Sequence, residues 1–142
     1  MKKMLMASLA LLLAGQAFAA DPISQRQQVF KQYKTTVGAM GKMVKGDTPY
    51  DKEAFAKLAS QLEQLSQQPW QYFPAGSDAG KTGARPEIWS KPADWQKVID
   101  NHKAATAKLK QVAQTGDLDA IRKQFAETNQ TCKACHKDFR KD

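Results

Sequence analysis

Thiol and imidazole are scarce in this chain. Its 142 residues contain two cysteines and two histidines, too few for a disulfide scaffold or a family of zinc modules. Beyond the first twenty residues no apolar run approaches the ~20 residues that cross a bilayer, so the remainder is expected to be soluble, with no membrane role. No stretch sustains the apolar–polar alternation of strands, which excludes a sheet-based fold. Long runs of one charge are also missing. The formal net charge is +8, yet lysines and arginines are interleaved with acids, so no basic stripe for nucleic acid exists. No carboxylate pair or nucleophile constellation stands out either, and enzymatic turnover is not expected.

The chain opens on Lys2 and Lys3, followed by the apolar run Met4 to Ala14 and then Ala17-Phe18-Ala19. A short positive region, an apolar run too short to span, and a small-x-small pattern together read as a secretory signal cleaved after Ala19. Residues 1–19 are therefore expected to be a signal peptide and residues 20–142 one domain, exported to the periplasm. Cleavage removes two lysines and no acid, leaving a formal charge of +6. Interleaved with acids, that surplus reads first as a solvated surface and at most points to an acidic redox protein partner rather than a nucleic acid.

Four stretches carry helical periodicity. The first is expected over about Ile23 to Val44, where Ile23, Phe30, Val37 and Val44 recur every seven residues with Tyr33 and Met40 between them. Gly46-Asp47-Thr48-Pro49 ends it. The second starts near the N-cap candidate Asp51 and places Phe55, Leu58, Leu62 and Leu65 on one side. Residues 67–91 form a long connection rich in Pro, Gly and Ser. It also holds Trp70, Tyr72, Phe73, Ile88 and Trp89, so it is expected to pack rather than to be disordered. The third helix opens at Pro92 with a stripe of Trp95, Val98, Ile99, His102, Ala105, Leu109 and Val112. Gly116-Asp117 separates it from a fourth that carries Leu118, Ile121, Phe125, Cys132, Cys135 and Phe139. The expected fold is all-α, an antiparallel four-helix bundle with its cofactor inserted near one end.

Both cysteines and one histidine fall in Thr131-Cys132-Lys133-Ala134-Cys135-His136. Cys-x-x-Cys-His is the attachment signature of haem c. On a helix, positions i, i+3 and i+4 share a face. Two thiols can there add to the two vinyl groups along one porphyrin edge while the imidazole reaches iron from one side. Three rivals fit less well. A thioredoxin-like dithiol normally follows a strand, and none is present. A zinc site needs a fourth ligand, and His102 is the only other histidine. A plain disulfide across so small a loop stabilises little and leaves His136 unexplained.

The chain resembles the class II c-type cytochromes, and within them the cytochrome c′ family. The resemblance is carried by Arg26-Gln27, by Val44-Lys45-Gly46 with Pro49-Tyr50-Asp51, and by Pro69-Trp70. It continues through Arg85-Pro86-Glu87-Ile88-Trp89, Gly116-Asp117-Leu118, the Cys132–His136 motif and Phe139-Arg140. It implies a single covalent, five-coordinate, high-spin haem with His136 as the proximal ligand. It also implies that Phe30, four residues after the family's arginine, covers the opposite face where leucine is more usual. Phenylalanine cannot ligate iron, whereas low-spin members of the class have methionine there. Met40 lies about 15 Å further along the helix axis, too distant to replace it. By the same resemblance, Arg26 and Gln27 match positions that contact haem propionates, Arg140 matches a basic residue bordering the proximal pocket, and the loop around Thr82 is expected to touch the haem edge. His102 is expected to be structural.

Two functions follow as expectations. The first is binding of nitric oxide, and more weakly of carbon monoxide, by ferrous iron, with nitric oxide able to end on the proximal side in place of His136. The second is electron transport between the ferric and ferrous states. A low-spin six-coordinate electron carrier with no gas-binding role is the alternative. The resemblance also implies a homodimer through the first two helices, although bundle and dimer faces share the same apolar spacing.

Overall fold

The structure is a computed structural model that describes residues 20–142; the expected signal peptide, residues 1–19, lies outside them. Helix α1 spans Pro22–Lys45 and α2 spans Lys52–Leu65. A 3-10 turn at Pro69–Tyr72 and a one-turn helix α3, Glu87–Ser90, lie in the long connection. Helices α4, Pro92–Ala113, and α5, Leu118–Phe139, complete the fold. Local chemistry sets these ends. Asp21, Asp51 and Asp117 accept hydrogen bonds from the first-turn amides of α1, α2 and α5, and Pro22 and Pro92 occupy first-turn positions where no amide is needed. Gly46 closes α1 at φ +84°, in the left-handed region that suits glycine.

The long helices form an antiparallel four-helix bundle. Short turns make α1–α2 and α4–α5 into hairpins, and α2 packs against both α1 and α4. The end of α1 meets the start of α5: Arg122 Nε donates to Val44 O at 3.2 Å, and a methyl group added at Gly41 would sit 3.7 Å from the Phe125 ring. The main core gathers here, with Met40, Phe55, Leu62, Leu109 and Ile121 fully buried. Toward the other end a cavity separates α1 from α5. The connection walls one side of it through a second apolar cluster of Ala84, Ile88 and Phe139, with Phe73, Trp89 and Trp95 packed against them.

Two expectations are corrected. The buried stripe of α1 is Arg26, Val29, Tyr33, Thr36 and Met40; Tyr33 and Met40 were expected in it, whereas Ile23, Val37 and Val44 of the seven-residue series are half-buried and Phe30 is exposed. That stripe also repeats every seven residues, through Arg26, Tyr33 and Met40 and through Val29 and Thr36, and Phe30 and Val37, one residue or ~100° around the helix from Val29 and Thr36, fall at its edge facing the cavity. On α4 the buried residues include Thr106 and Ala113, while Trp95 and Val98 are only half-buried at the cavity wall. The sole β pairing among the described residues is an isolated antiparallel bridge, Ala84 to Arg140. It fastens the connection to the end of α5 through Arg85 N–Phe139 O at 3.0 Å and Lys141 N–Gly83 O at 2.7 Å. No helix among the described residues is long and apolar enough to cross a membrane.

Candidate functional site

The cavity between α1, α4, α5 and the connection has a volume of about 530 Å³, within the span usual for cofactor sites. Every residue singled out from the sequence lines it: Arg26, Gln27 and Phe30 from α1, Thr82 from the connection, and Cys132, Cys135, His136 and Arg140 from the last helix and its cap. The α5 wall presents the two half-buried cysteines one turn apart, followed by His136. The α1 wall presents Phe30, Tyr33 and Val37.

Burial pushes both thiols up, Cys135 to about 12 with further help from Cys132 and Asp138. A dithiol catalyst needs the opposite, a thiol with a lowered pKa, so the thioredoxin-like rival fails on electrostatics as well as on topology. No three His, Cys, Asp or Glu side chains among the described residues converge as a metal-binding group, which disfavours the zinc rival. His136 is held below its ordinary value, first by partial desolvation and then by the Arg140 cation. Its neutral imidazole is the form able to ligate a metal.

The resemblance sets Arg26 against haem propionates. Arg26 is buried, at 2% exposure. Its terminal N–H groups donate to Tyr72 O, Ser77 Oγ, Ser77 O and Thr82 Oγ1 at 2.7–3.0 Å, and Phe73 lies against the guanidinium at 4.5 Å. Burial opposes its charge and Asp21 offsets only part of that. None of its hydrogen-bond acceptors is a carboxylate, and a buried charge normally has an ionic partner. The uncompensated guanidinium at the edge of an apolar cavity therefore suits an anionic substituent of a bound group. Gln27 is exposed and donates to Lys81 O at 2.8 Å, tying α1 to the same loop. Thr82 is half-buried between Arg26 and the Ala84 amide.

Phe30, at 36% exposure, is the one large exposed hydrophobic among the described residues. It leans on Tyr33 and Trp70 with ring centroids 5.5 and 6.2 Å away. A chain of edge-on contacts continues through Trp70–Trp95, Phe73–Trp95 and Trp95–Phe139. The donor set on one wall, the apolar ring of the remainder and the unpaired cation at the edge fit a flat, largely apolar macrocycle bearing carboxylates. Tyr33, Trp70 and Trp95 were not singled out as site residues. Trp70 and Trp95 did carry a signal, as large aromatics in or beside a long connection. His102 lines the cavity too, but both ring nitrogens are engaged: Nδ1 lies 2.8 Å from Thr131 Oγ1 and Nε2 lies 3.2 Å from Tyr33 Oη. Met40 is fully buried in the main core, away from this cavity.

The family model described as Cytochrome C′ matches residues 21–140. The cytochrome c′ of Alcaligenes xylosoxydans xylosoxydans is 36% identical over 121 residues, covering 85% of this chain and 94% of that protein. Among solved structures, cytochrome c′ from Shewanella frigidimarina superposes with a TM-score of 0.84 at 36% identity, covering 87% of this chain and 96% of the other. The nitric oxide complex of a cytochrome c′ mutant from Alcaligenes xylosoxidans superposes at 0.81 with 35% identity, covering 86% and 94%.

Proposed function

Because the chain belongs to the cytochrome c′ family, we propose that it is a periplasmic monohaem cytochrome with a five-coordinate, high-spin haem c. Its function is to bind nitric oxide, and carbon monoxide more weakly, and to pass single electrons to and from a redox protein partner. Residues 1–19 direct export and are removed, and residues 20–142 form the haem domain. In this reading Cys132 and Cys135 carry the thioether links and His136 is the proximal ligand. Phe30 covers the opposite face. Arg26 faces the propionate edge with its charge, with Gln27 and Thr82 beside it, and Arg140 borders the His136 side. The iron, when bound, supplies the centre that takes up the gas or the electron. Among the described residues no carboxylate lines the cavity and both nitrogens of His102 are bonded within the protein, which supports binding and carriage rather than turnover.

One observation carries this reading: among the described residues, the α1 wall across the cavity from Cys132, Cys135 and His136 provides no methionine or histidine as a second ligand, and the Tyr33 hydroxyl is bonded to His102. Phe30 cannot ligate, Met40 lies in the other core cluster, and both nitrogens of His102 are bonded within the protein. A low-spin carrier needs such a ligand. The nitric oxide complex of a similar cytochrome supports the gas-binding half of the reading. Absorption spectra of the periplasm-matured protein in both oxidation states, with and without nitric oxide, test it. High-spin spectra and tight nitrosyl formation are expected. A methionine–iron charge-transfer band in the ferric form, or indifference to the gas, would overturn it.

A further inference from the structure

Four rings close the α1 side of the cavity: Phe30, Tyr33, Trp70 and His102. Neighbouring centroids lie 5.5 to 6.4 Å apart. Three of them carry polar hydrogens, and these hydrogens are committed to protein acceptors. Trp70 Nε1 donates to Ser66 O at 2.6 Å. The other two belong to one directed chain. Thr131 Oγ1 lies 2.6 Å from Thr128 O; a carbonyl cannot donate, so the hydroxyl hydrogen points there. Its lone pair must then accept from His102 Nδ1–H. Nε2 is thereby the bare, accepting nitrogen of a neutral ring, and Tyr33 Oη–H donates to it. His102 is 6% exposed, and burial, with the His136 charge second, pulls it down to about 4. The ring therefore stays neutral at physiological pH and the direction of the chain is fixed.

We propose that His102 is a positioning residue for ligand selectivity: it draws the Tyr33 hydroxyl hydrogen away from the cavity, so that a diatomic ligand on the Phe30 side meets no phenolic donor there. The inference rests on the gas-binding reading above and deepens it. A ligand that gains partial negative charge on binding, such as dioxygen, depends on a donated hydrogen bond. Nitric oxide and carbon monoxide depend on it far less. Withholding one phenolic hydrogen thus biases the site against dioxygen without filling space. Nothing is transferred in this step; only the acceptor of one hydrogen bond is chosen.

The test uses the ferrous carbon monoxide complex of the full haem protein, in which a donor to the bound ligand lowers the C–O stretching frequency. His102→Phe frees the phenol and is expected to lower that frequency and to raise the dioxygen-to-carbon-monoxide affinity ratio about tenfold. Tyr33→Phe/His102→Phe restores the wild-type frequency. His102→Gln, whose amide can accept from Tyr33 and donate to Thr131, keeps it. In the same diamagnetic complex, ¹⁵N shifts of the wild-type ring are expected to show a protonated Nδ1 and a bare Nε2, which needs no variant to fold. A protonated Nε2, a shift caused by Tyr33→Phe alone, or an unchanged frequency in His102→Phe would overturn the proposal and leave gas binding standing. Failure to form any carbon monoxide complex would sink the gas-binding reading and the proposal together.

Discussion

In the proposed reading, position 30 separates two coordination chemistries. Its side chain faces the cavity from α1, and the motif on α5 faces it from the other wall. Methionine is close to phenylalanine in volume and brings a thioether. Phe30→Met is therefore expected to convert a high-spin centre into a six-coordinate low-spin one, seen as a new ferric methionine–iron charge-transfer band. An unchanged spin state would show that this side chain does not lie over the iron. That Cys132, Cys135 and His136 share one wall of the cavity was legible in the sequence, because it depends only on local helical spacing. Arg26 and His102 were less so. Their surroundings come from segments far away in the chain: the guanidinium is bonded to residues 72–82, and the imidazole joins Tyr33 of α1 to Thr131 of α5. Local periodicity cannot supply such partners.

Elements end where side chains replace the missing backbone partners, and this part of the fold could be read almost directly. Asp117 shows how. Its carboxylate accepts from both Asp119 N and Ala120 N at 3.0–3.1 Å and begins the helix that carries the motif. Asp117→Ala is expected to lower stability by about 1 kcal/mol, measured by chemical denaturation, with the haem spectrum unchanged because the motif lies some four turns downstream. A loss well below that size would mean that packing alone sets the start of α5. The connection 67–91 was harder to read. Its aromatics announced that it packs, but the 3-10 turn at Pro69–Tyr72, the helix α3 and the Ala84–Arg140 bridge depend on what it packs against. Asp51, Gly46 and Pro92, by contrast, act on their own neighbours, and the ends they were expected to set are the ends observed.

At the scale of the molecule, α1 and α5 meet at Gly41 and Phe125 and stand apart where the cavity lies. The open end must be held by something other than continuous apolar packing, and the Tyr33–His102–Thr131 chain links three helices there. That dependence gives the whole fold a pH signature. His102 titrates near 6.5 when unfolded and near 4 when buried, so below 6.5 the unfolded chain binds a proton that the folded one refuses. Stability from this group is complete above pH 6.5, falls as pH drops through the interval, and is fully lost below about 4. Integrated over that window the loss is of order 3 kcal/mol, a large share of the 5–15 kcal/mol typical of a domain. Denaturation free energies measured at pH 7, 5 and 4 are therefore expected to fall more steeply for the wild type than for His102→Phe, whatever the absolute stability of that variant. Parallel slopes would mean that the imidazole gains its proton inside the folded bundle, and that the three helices are not held together through a neutral ring.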